Sequence, residues 1–367
     1  MFKALWNEKK VFTTNYPLVG PNASGTANMT VDLVKQGVVD TIDSLSIRLV
    51  GNIVQVNTTG GTASGLENPQ GLITLANLVT APQPAALVAI NQISSRIAVL
   101  DQAVIQGAFD TLPAITEVNG GATLPIDVWQ HYRFKRSGTK KSIDYALPMS
   151  KWNSAVLTLV CGTRNQLFVG GTGTPTWDMT GVQIEVYCDL DVDANPNEIH
   201  AFEMFEQDFN ITAQNAAFLI NQLPQGCFYD NLYFAAEDTT VSTGAVALSD
   251  GIINNISIQG GGRFWTQQGE RNADYIRQRY TKPLFYDPNG GAHGLTGEYV
   301  FGLRDGLWSR ALDATSTPIV ISLDVNGPPS GHTYLVRLGG RKLVPGGVKK
   351  TIKGANGVKT VVGLPDA

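Results

Sequence analysis

The segment from Leu147 to Asp191 returns, in degraded form, between Gly302 and Leu343. The first copy reads LPMSKWNSAVLTLVCG, passes through the Gly/Thr/Pro-rich GGTGTPTWDMTG, and continues as VQIEVYCDLD. The second reads GLWSRALDATSTPIVISLDVNG, then PPSG, then HTYLVRLGGRKL. Each opens on a polar lead containing a tryptophan (Trp152, Trp308), runs into an alternating apolar strand, breaks at a loop and resumes as a second alternating strand. Val156, Thr158 and Val160 alternate with Ala155, Leu157 and Leu159, a period of two with both faces rather apolar, as a strand between packed layers requires. The recurrence predicts one architecture used twice.

A chain of 367 residues exceeds one ordinary core and suits two domains of roughly 150 to 200 residues each. With 39 Gly, 18 Pro and 16% charged residues, it is rich in turns and poor in the charges that lace long surface helices, which points to many short strands. A net charge of −4 argues against nucleic acid as the main partner, because phosphate binding needs a basic surface. Cys161, Cys188 and Cys227 lie in strand-like segments without a CxxC, so they read as reduced, buried hydrophobes of a protein made in the cytosol. No apolar run approaches the length of a spanning helix, and the opening MFKALWNEKKVF lacks the pattern of a signal peptide. In that opening, Phe2, Leu5, Trp6 and the more distant Val11 fall near one helical face, with Lys3, Lys9 and Lys10 around it. Residues 1–10 are therefore read as an amphipathic segment, either docked on its own domain or touching an anionic bilayer or a neighbouring subunit.

Along the chain, Met29–Gly37 is a first expected strand. Thr41–Val56 is a long alternating one, with Ile42, Leu45, Ile47, Leu49 and Ile53 inward. TTGGTASGLENPQG is a loop, AALVAINQISSRIAVL a strand-rich run, and VWQHYRFKRSGTKK an aromatic, basic stretch suited to a hairpin tip or a subunit contact. The first domain spans 11–193, a linker rich in Asp, Asn and Pro covers 194–199, and the second domain spans 200–344. In the second, AFEMFEQDFNI and AAFLINQL resemble the opening strands of the first. GCFYDNLYFAAED matches SLSIRLVGN, and SDGIINNISIQGGGRFW echoes PAALVAINQISSRI. Gly269–Tyr280 is the best helix candidate, with Ala273, Ile276 and Tyr280 at helical spacing. Residues 345–367 form a Gly-punctuated basic arm carrying Lys349, Lys350, Lys353 and Lys359.

Two successive sets of about eight short strands fit an all-β chain of two tandem eight-stranded jelly-roll sandwiches, with short helices in loops. This order, with its paired Trp blocks and the echo of SDGIINNISIQGGGRFW by AALVAINQISSRI, resembles the double jelly-roll major capsid proteins of tailless icosahedral phages with an internal membrane. The resemblance covers roughly Val11 to Val344. It implies barrels standing upright on the capsid, a homotrimer forming a pseudo-hexagonal capsomer, and termini on the inner, membrane-facing side. It also implies contacts with neighbouring capsomers, penton and minor capsid proteins, and a location in the virion. The family's amphipathic N-terminal segment corresponds here to Met1–Lys10. Candidate contacts with membrane or neighbours are then Phe2, Lys3, Leu5, Trp6, Lys9 and Lys10 at one end, and Lys349, Lys350, Lys353 and Lys359 at the other.

The residues offer little chemistry. His131, His200, His293 and His332 are scattered, with no metal-binding spacing. GGTGTPT lacks the Gly-Lys-Ser/Thr of a phosphate loop, GGGR fails the dinucleotide fingerprint, and no GxSxG occurs. Asp189, Asp191, Asp193 and Asn195 alternate like a calcium loop, but Ala194 stands where Gly is needed and His200 where Glu is needed. The expectation is a non-enzymatic protein with no cofactor, no metal and no small-molecule substrate. Two alternatives stay open. A carbohydrate-binding or carbohydrate-active sandwich would line a cleft with Trp129, Tyr132 and Trp265 beside paired carboxylates. A phage spike or fibre would share the composition.

Overall fold

The computed structural model describes residues 8–17, 27–56, 73–81, 87–95, 97–98, 100–101, 122–134, 146–162, 176–193, 202–221, 223–239, 247–248, 251–260, 263–267, 297–302, 312–314, 318–343, 349–354 and 357–362. The first half contributes β1 (Glu8–Asn15), β2 (Ala27–Asp32), β3 (Thr41–Val56), β4 (Ile73–Ala81), β5 (Val88–Ser94), β6 (Ala122–Arg133), β7 (Leu147–Pro148), β8 (Ser154–Cys161) and β9 (Thr176–Asp191). The second contributes β10 (Phe202–Ile211), β11 (Asn215–Ile220), β12 (Phe228–Asp238), β13 (Ala247–Leu248), β14 (Ile253–Gly260), β15 (Arg263–Gln267), β16 (Glu298–Gly302), β17 (Leu312–Asp313), β18 (Val320–Val325) and β19 (Tyr334–Leu343). A hairpin of β20 (Lys349–Gly354) and β21 (Gly357–Val362) follows.

Strand formation follows the sequence pattern. In β8 and β18 every second residue is buried, and branched apolar side chains fill a pleated, packed surface well. All five residues expected to point inward from β3 are at most 1% exposed. Gly51 of β3 has φ of +141°, and a side chain there would collide with the carbonyl of Gly181 across the sheet, so only glycine lets β9 approach.

The connectivity states the duplication directly. One sheet of the first half runs β1-β9-β3-β6 and the other β2-β8-β4-β5; in the second half the orders are β10-β19-β12-β16 and β11-β18-β14-β15. With the short β7, β13 and β17 set aside, both halves read first–eighth–third–sixth and second–seventh–fourth–fifth. That is the jelly-roll order, built twice. Even the short strands agree: β7 and β17 each precede the seventh strand and pair with the start of the third. One core lies between the first pair of sheets, and a second core lies between the other pair. The barrels are fused through a parallel contact, β5 against β10, which joins sheets of both halves into one of ten strands.

Several expectations change. The strand expected over Met29–Gly37 ends at Asp32. Its carboxylate accepts the Val34 N–H and the Ala155 N–H, and the chain turns through Gly37 at φ of +80°. The run AALVAINQISSRIAVL stays extended only to Ser94, whose hydroxyl accepts the Ile97 N–H as a helix cap, and Ser95, Ile97, Ala98, Leu100 and Asp101 are helical. Together with a 3-10 turn at Met149–Lys151, this is the short helical structure among the described residues. Among the described residues, no helix is long and apolar enough to cross a membrane. SDGIINNISIQ is the fourth strand of its half and AALVAINQIS the fifth, so the echo between them was shifted by one strand: β14 corresponds to β4, and β15 to β5. Glu8, Lys9 and Lys10 belong to β1 rather than to a helical foot, because the edge of β9 captures them in antiparallel register. The C-terminal arm is a hairpin, not simply extended, with Lys353 opposite Val358 at its turn. The helix expected over Gly269–Tyr280 and the second tryptophan, Trp308, lie outside the described residues; Trp152 is buried in the first core.

Candidate assembly surfaces

The joint between barrels holds a dense polar construction. Along β19, Val336 and Leu338 enter the second core, which turns Arg337, Gly339 and Arg341 to the opposite face. The helical turn after β5 lies against that face. Arg341 donates from Nε and Nη2 to the two carboxylate oxygens of Asp101, and the Tyr233 hydroxyl donates to the same carboxylate at 2.8 Å. Arg341 is 2% exposed and Asp101 1%, so the pair is dry. Ile97 occupies the place where a Gly339 side chain would be. Beside it, the Ser94 N–H donates to Glu206 at 2.5 Å, and Asn91 Nδ2 donates to Glu203 at 3.2 Å. Arg337 then gathers three carboxylates: Glu206 at 3.1 Å, Asp208 at 2.9 Å and Glu237 at 3.0 Å. Burial pushes the Glu206 carboxyl up to about 7, while Arg337 and the Ser94 N–H pull in the opposite direction. Met204, Phe228 and Tyr233 of the second barrel pack in the first core, so the joint is apolar as well as ionic.

A second cluster covers the outer face of the β1-β9-β3-β6 sheet. Inward positions of β6 (Ile126, Val128, Tyr132) are buried, which leaves Asp127, Trp129 and His131 outward. Arg48 of β3 donates from Nε and Nη2 to Asp127 at 2.8 and 2.7 Å, and from Nη1 to Glu185 of β9 at 3.3 Å. Glu185 also accepts Lys10 Nζ and the Tyr187 hydroxyl, each at 2.7 Å. The Arg48 guanidinium lies 5.2 Å over the Trp129 ring, a cation–π contact, and Trp129 stacks on His131 at 5.7 Å and leans on Tyr187 at 5.3 Å. Ser46 Oγ is 2.7 Å from His131 Nδ1. The hydrogen bond from Lys10 holds Glu185 below the usual carboxylate range, and the one from Arg48 does the same for Asp127. Carboxylates held this way stay ionised near neutral pH, so neither Glu185 nor Asp127 is set up as the acid of a glycosidase.

The other expected residues are dispersed. Trp129 is outward, Tyr132 lies at 0% exposure in the core on the opposite side of β6, and Trp265 is on β15 of the other barrel. The aromatic cleft required by the carbohydrate alternative is not assembled from them. Lys9 and Lys10 stand on β1, Lys349, Lys350 and Lys353 on β20, and Lys359 on β21, while Phe2, Lys3, Leu5 and Trp6 lie outside the described residues. His332 is 2.7 Å from Asp238, and His200 and His293 lie outside the described residues. Asp189 and Asp191 are paired in β9, the Asp193 N–H donates to Asp191, and Asn195 is outside the described residues. Among the described residues, no group of three or more His, Cys, Asp or Glu is placed to hold a metal. The three cysteines are free and buried. The joint went unread in the sequence. Its signal was a charge inside each of two apolar runs, Asp101 after IAVL and Arg341 within LGGRKL.

No family model and no curated protein matches the chain. Solved structures do. The major capsid protein of STIV, in its crystal structure, is 13% identical with a TM-score of 0.60, over 91% of this chain and 97% of that one. A chain in the atomic structure of Sulfolobus Turreted Icosahedral Virus is 13% identical with a TM-score of 0.61, over 92% of each chain. The major capsid protein P2 of bacteriophage PM2 is 11% identical with a TM-score of 0.52, over 95% of this chain and 99% of that one. At such identities the likeness is one of fold, and it runs nearly end to end: the chain has the double jelly-roll fold of icosahedral-virus major capsid proteins.

Proposed function

We propose that the chain is a major capsid protein, a non-enzymatic tile of an icosahedral shell, made in the host cytoplasm and carried in the virion. The observation that carries this reading is the doubled strand order locked by a buried joint. Three rigid chains would supply six similar barrels, which suits a homotrimer forming a pseudo-hexagonal capsomer. Shell tiles need large lateral surfaces on a stiff scaffold, and a ten-stranded sheet running through both barrels provides stiffness. The domain division at 194–199 belongs to this reading, as do contacts with neighbouring capsomers, penton and minor capsid proteins.

The two ends are the proposed inner contacts, to neighbours or to an internal membrane. The β20–β21 hairpin pairs with no barrel strand among the described residues, and an isolated two-stranded hairpin is marginal in water. Each lysine near an anionic bilayer contributes roughly 1 kcal/mol, so Lys349, Lys350, Lys353 and Lys359 with the N-terminal lysines would hold the shell without inserting. Negative-stain microscopy with light scattering of the purified chain tests the main reading. Trimeric pseudo-hexagonal tiles are expected, and a monomer that binds oligosaccharide would overturn it. Flotation with anionic liposomes, comparing the full chain with one lacking residues 1–7 and 345–367, tests the membrane contact. Equal, negligible flotation would remove it.

A further inference from the structure

We propose that the two barrels become joined covalently: Lys342 and Asn91 form an isopeptide bond across the joint, with Glu203 relaying the proton between them. The inference stands apart from the capsid reading and holds whatever the chain's role. Ile90 and Met204, side by side in the parallel β5–β10 contact, enter the first core, which turns their neighbours Asn91 and Glu203 to the opposite face. On that face Lys342 of β19 lies in register between Glu203 of β10 and Tyr229 of β12. Lys342 Nζ is 2.9 Å from Glu203 Oε1, and Asn91 Nδ2 donates to the same atom at 3.2 Å. The amine and the amide nitrogen are therefore no further apart than these two contacts laid end to end. The side chains of Lys342 and Glu203 are each 11% exposed, the ammonium lies 6.0 Å over the Phe205 ring, and Tyr229 is fully buried. Little water reaches the carboxylate that links them, which protects the amide from the competing nucleophile.

β5 is shaped to present Asn91. Ile90 pairs with Leu78 and Ile93 with Ala76, so two residues, Asn91 and Gln92, stand opposite the single Asn77. Such a bulge re-aims the side chains it carries. Gln92 absorbs the irregularity at φ of +50°, the one non-glycine residue with positive φ among the described residues. The cluster then holds the three parts that amide exchange needs: an amine, a carboxamide carbon, and a carboxylate touching both nitrogens. Nζ of the ammonium passes one proton to Glu203 Oε1 and forms a bond to Asn91 Cγ. Glu203 delivers that proton to Nδ2, and the Cγ–Nδ2 bond breaks. The departing ammonia takes a second proton from Nζ and leaves as ammonium, so the charge balances and Glu203 ends as the carboxylate it began as. Nothing is oxidised or reduced, and no co-reactant enters. Holding the groups in one hydrogen-bonded cluster supplies the proximity that makes so slow a reaction feasible.

The test is the intact mass of the full-length folded chain, incubated at neutral pH and measured under denaturing conditions. The unaltered chain is expected to be lighter by the mass of one ammonia. A protease digest should contain a branched peptide joining the segment around Asn91 to the segment around Lys342. Lys342→Arg, Asn91→Ala and Glu203→Gln should each keep the full mass, with circular dichroism to verify that they fold. In a denaturing gel the unaltered chain, closed into a covalent loop, should run ahead of all three variants. Full mass for the unaltered folded chain would overturn the bond, and that result needs no variant to fold. Ammonia loss that survives in Lys342→Arg, or that comes without a branched peptide, would assign it to a succinimide and overturn the bond. A gain in mass at Asn91 would show hydrolysis to aspartate, with water rather than Lys342 as the nucleophile, and would overturn it equally. A branched peptide formed undiminished in Glu203→Gln would overturn the relay.

Discussion

Replacing Asp101 by alanine should loosen the whole molecule, not one loop. Arg341 and Asp101 are 2% and 1% exposed, so solvent cannot replace the lost carboxylate. Stripping one partner from a buried ion pair costs about 3–5 kcal/mol, because the remaining charge stays desolvated. The Tyr233 hydroxyl also loses the acceptor it now reaches at 2.8 Å, which adds about 1–3 kcal/mol. With some relaxation of the cavity, the net loss is about 4–6 kcal/mol, a large part of the roughly 5–15 kcal/mol that typical domains possess. In barrels of this size it would lower the melting temperature by roughly 10–20 °C. Urea unfolding followed by circular dichroism and tryptophan fluorescence measures it. The companion variant, Asp101→Leu with Arg341→Met, removes both charges and should recover most of the loss, since a buried pair is near neutral against apolar residues of similar volume. A cost below about 1 kcal/mol for Asp101→Ala, or no recovery in the companion, would refute the dry, interdependent joint.

Gly339→Val should drive a side chain into Ile97 and cost about 1–3 kcal/mol by overpacking, with partial rescue by Ile97→Ala; thermal melts of the three variants would show it. Glu206 supplies a pH dependence. Its native pKa, about 7, stands above the ordinary 4.5, so its contribution is complete below about pH 4.5 and is lost as pH rises through 7. A rise of that size corresponds to roughly 3 kcal/mol at most, and Glu206→Gln should flatten stability between pH 4.5 and 8; equal slopes for both proteins would count against it. Burial pushes Cys161 and Cys188 up to about 12 and also raises Cys227, so a thiol reagent at pH 8 should label none in the native state and all three in denaturant.

Much of the fold was present in the sequence because a strand's period of two is local. Ile42, Leu45, Ile47, Leu49 and Ile53 declared their inward direction without reference to any partner, and β3 begins and ends where the alternation does. The repeated Trp block likewise announced the duplication, since seventh and eighth strands recur in the same positions of both halves. Alternation, however, says which face of a strand is buried and carries no label for its neighbour. That is why β14 could be matched with β5 rather than β4: both are rich in apolar residues and of similar length, and only pairing across the sheet separates them. Lys9 and Lys10 sat at positions compatible with a helical face, and tertiary structure overrode that weak local preference by offering the hydrogen-bonding edge of β9. The joint was the least legible part. Asp101 and Arg341 are 240 residues apart, and each alone looks like a misplaced charge in an apolar run. A buried charge becomes favourable only when its opposite is delivered to the same dry place, and that delivery is a property of the assembled sheets rather than of either segment.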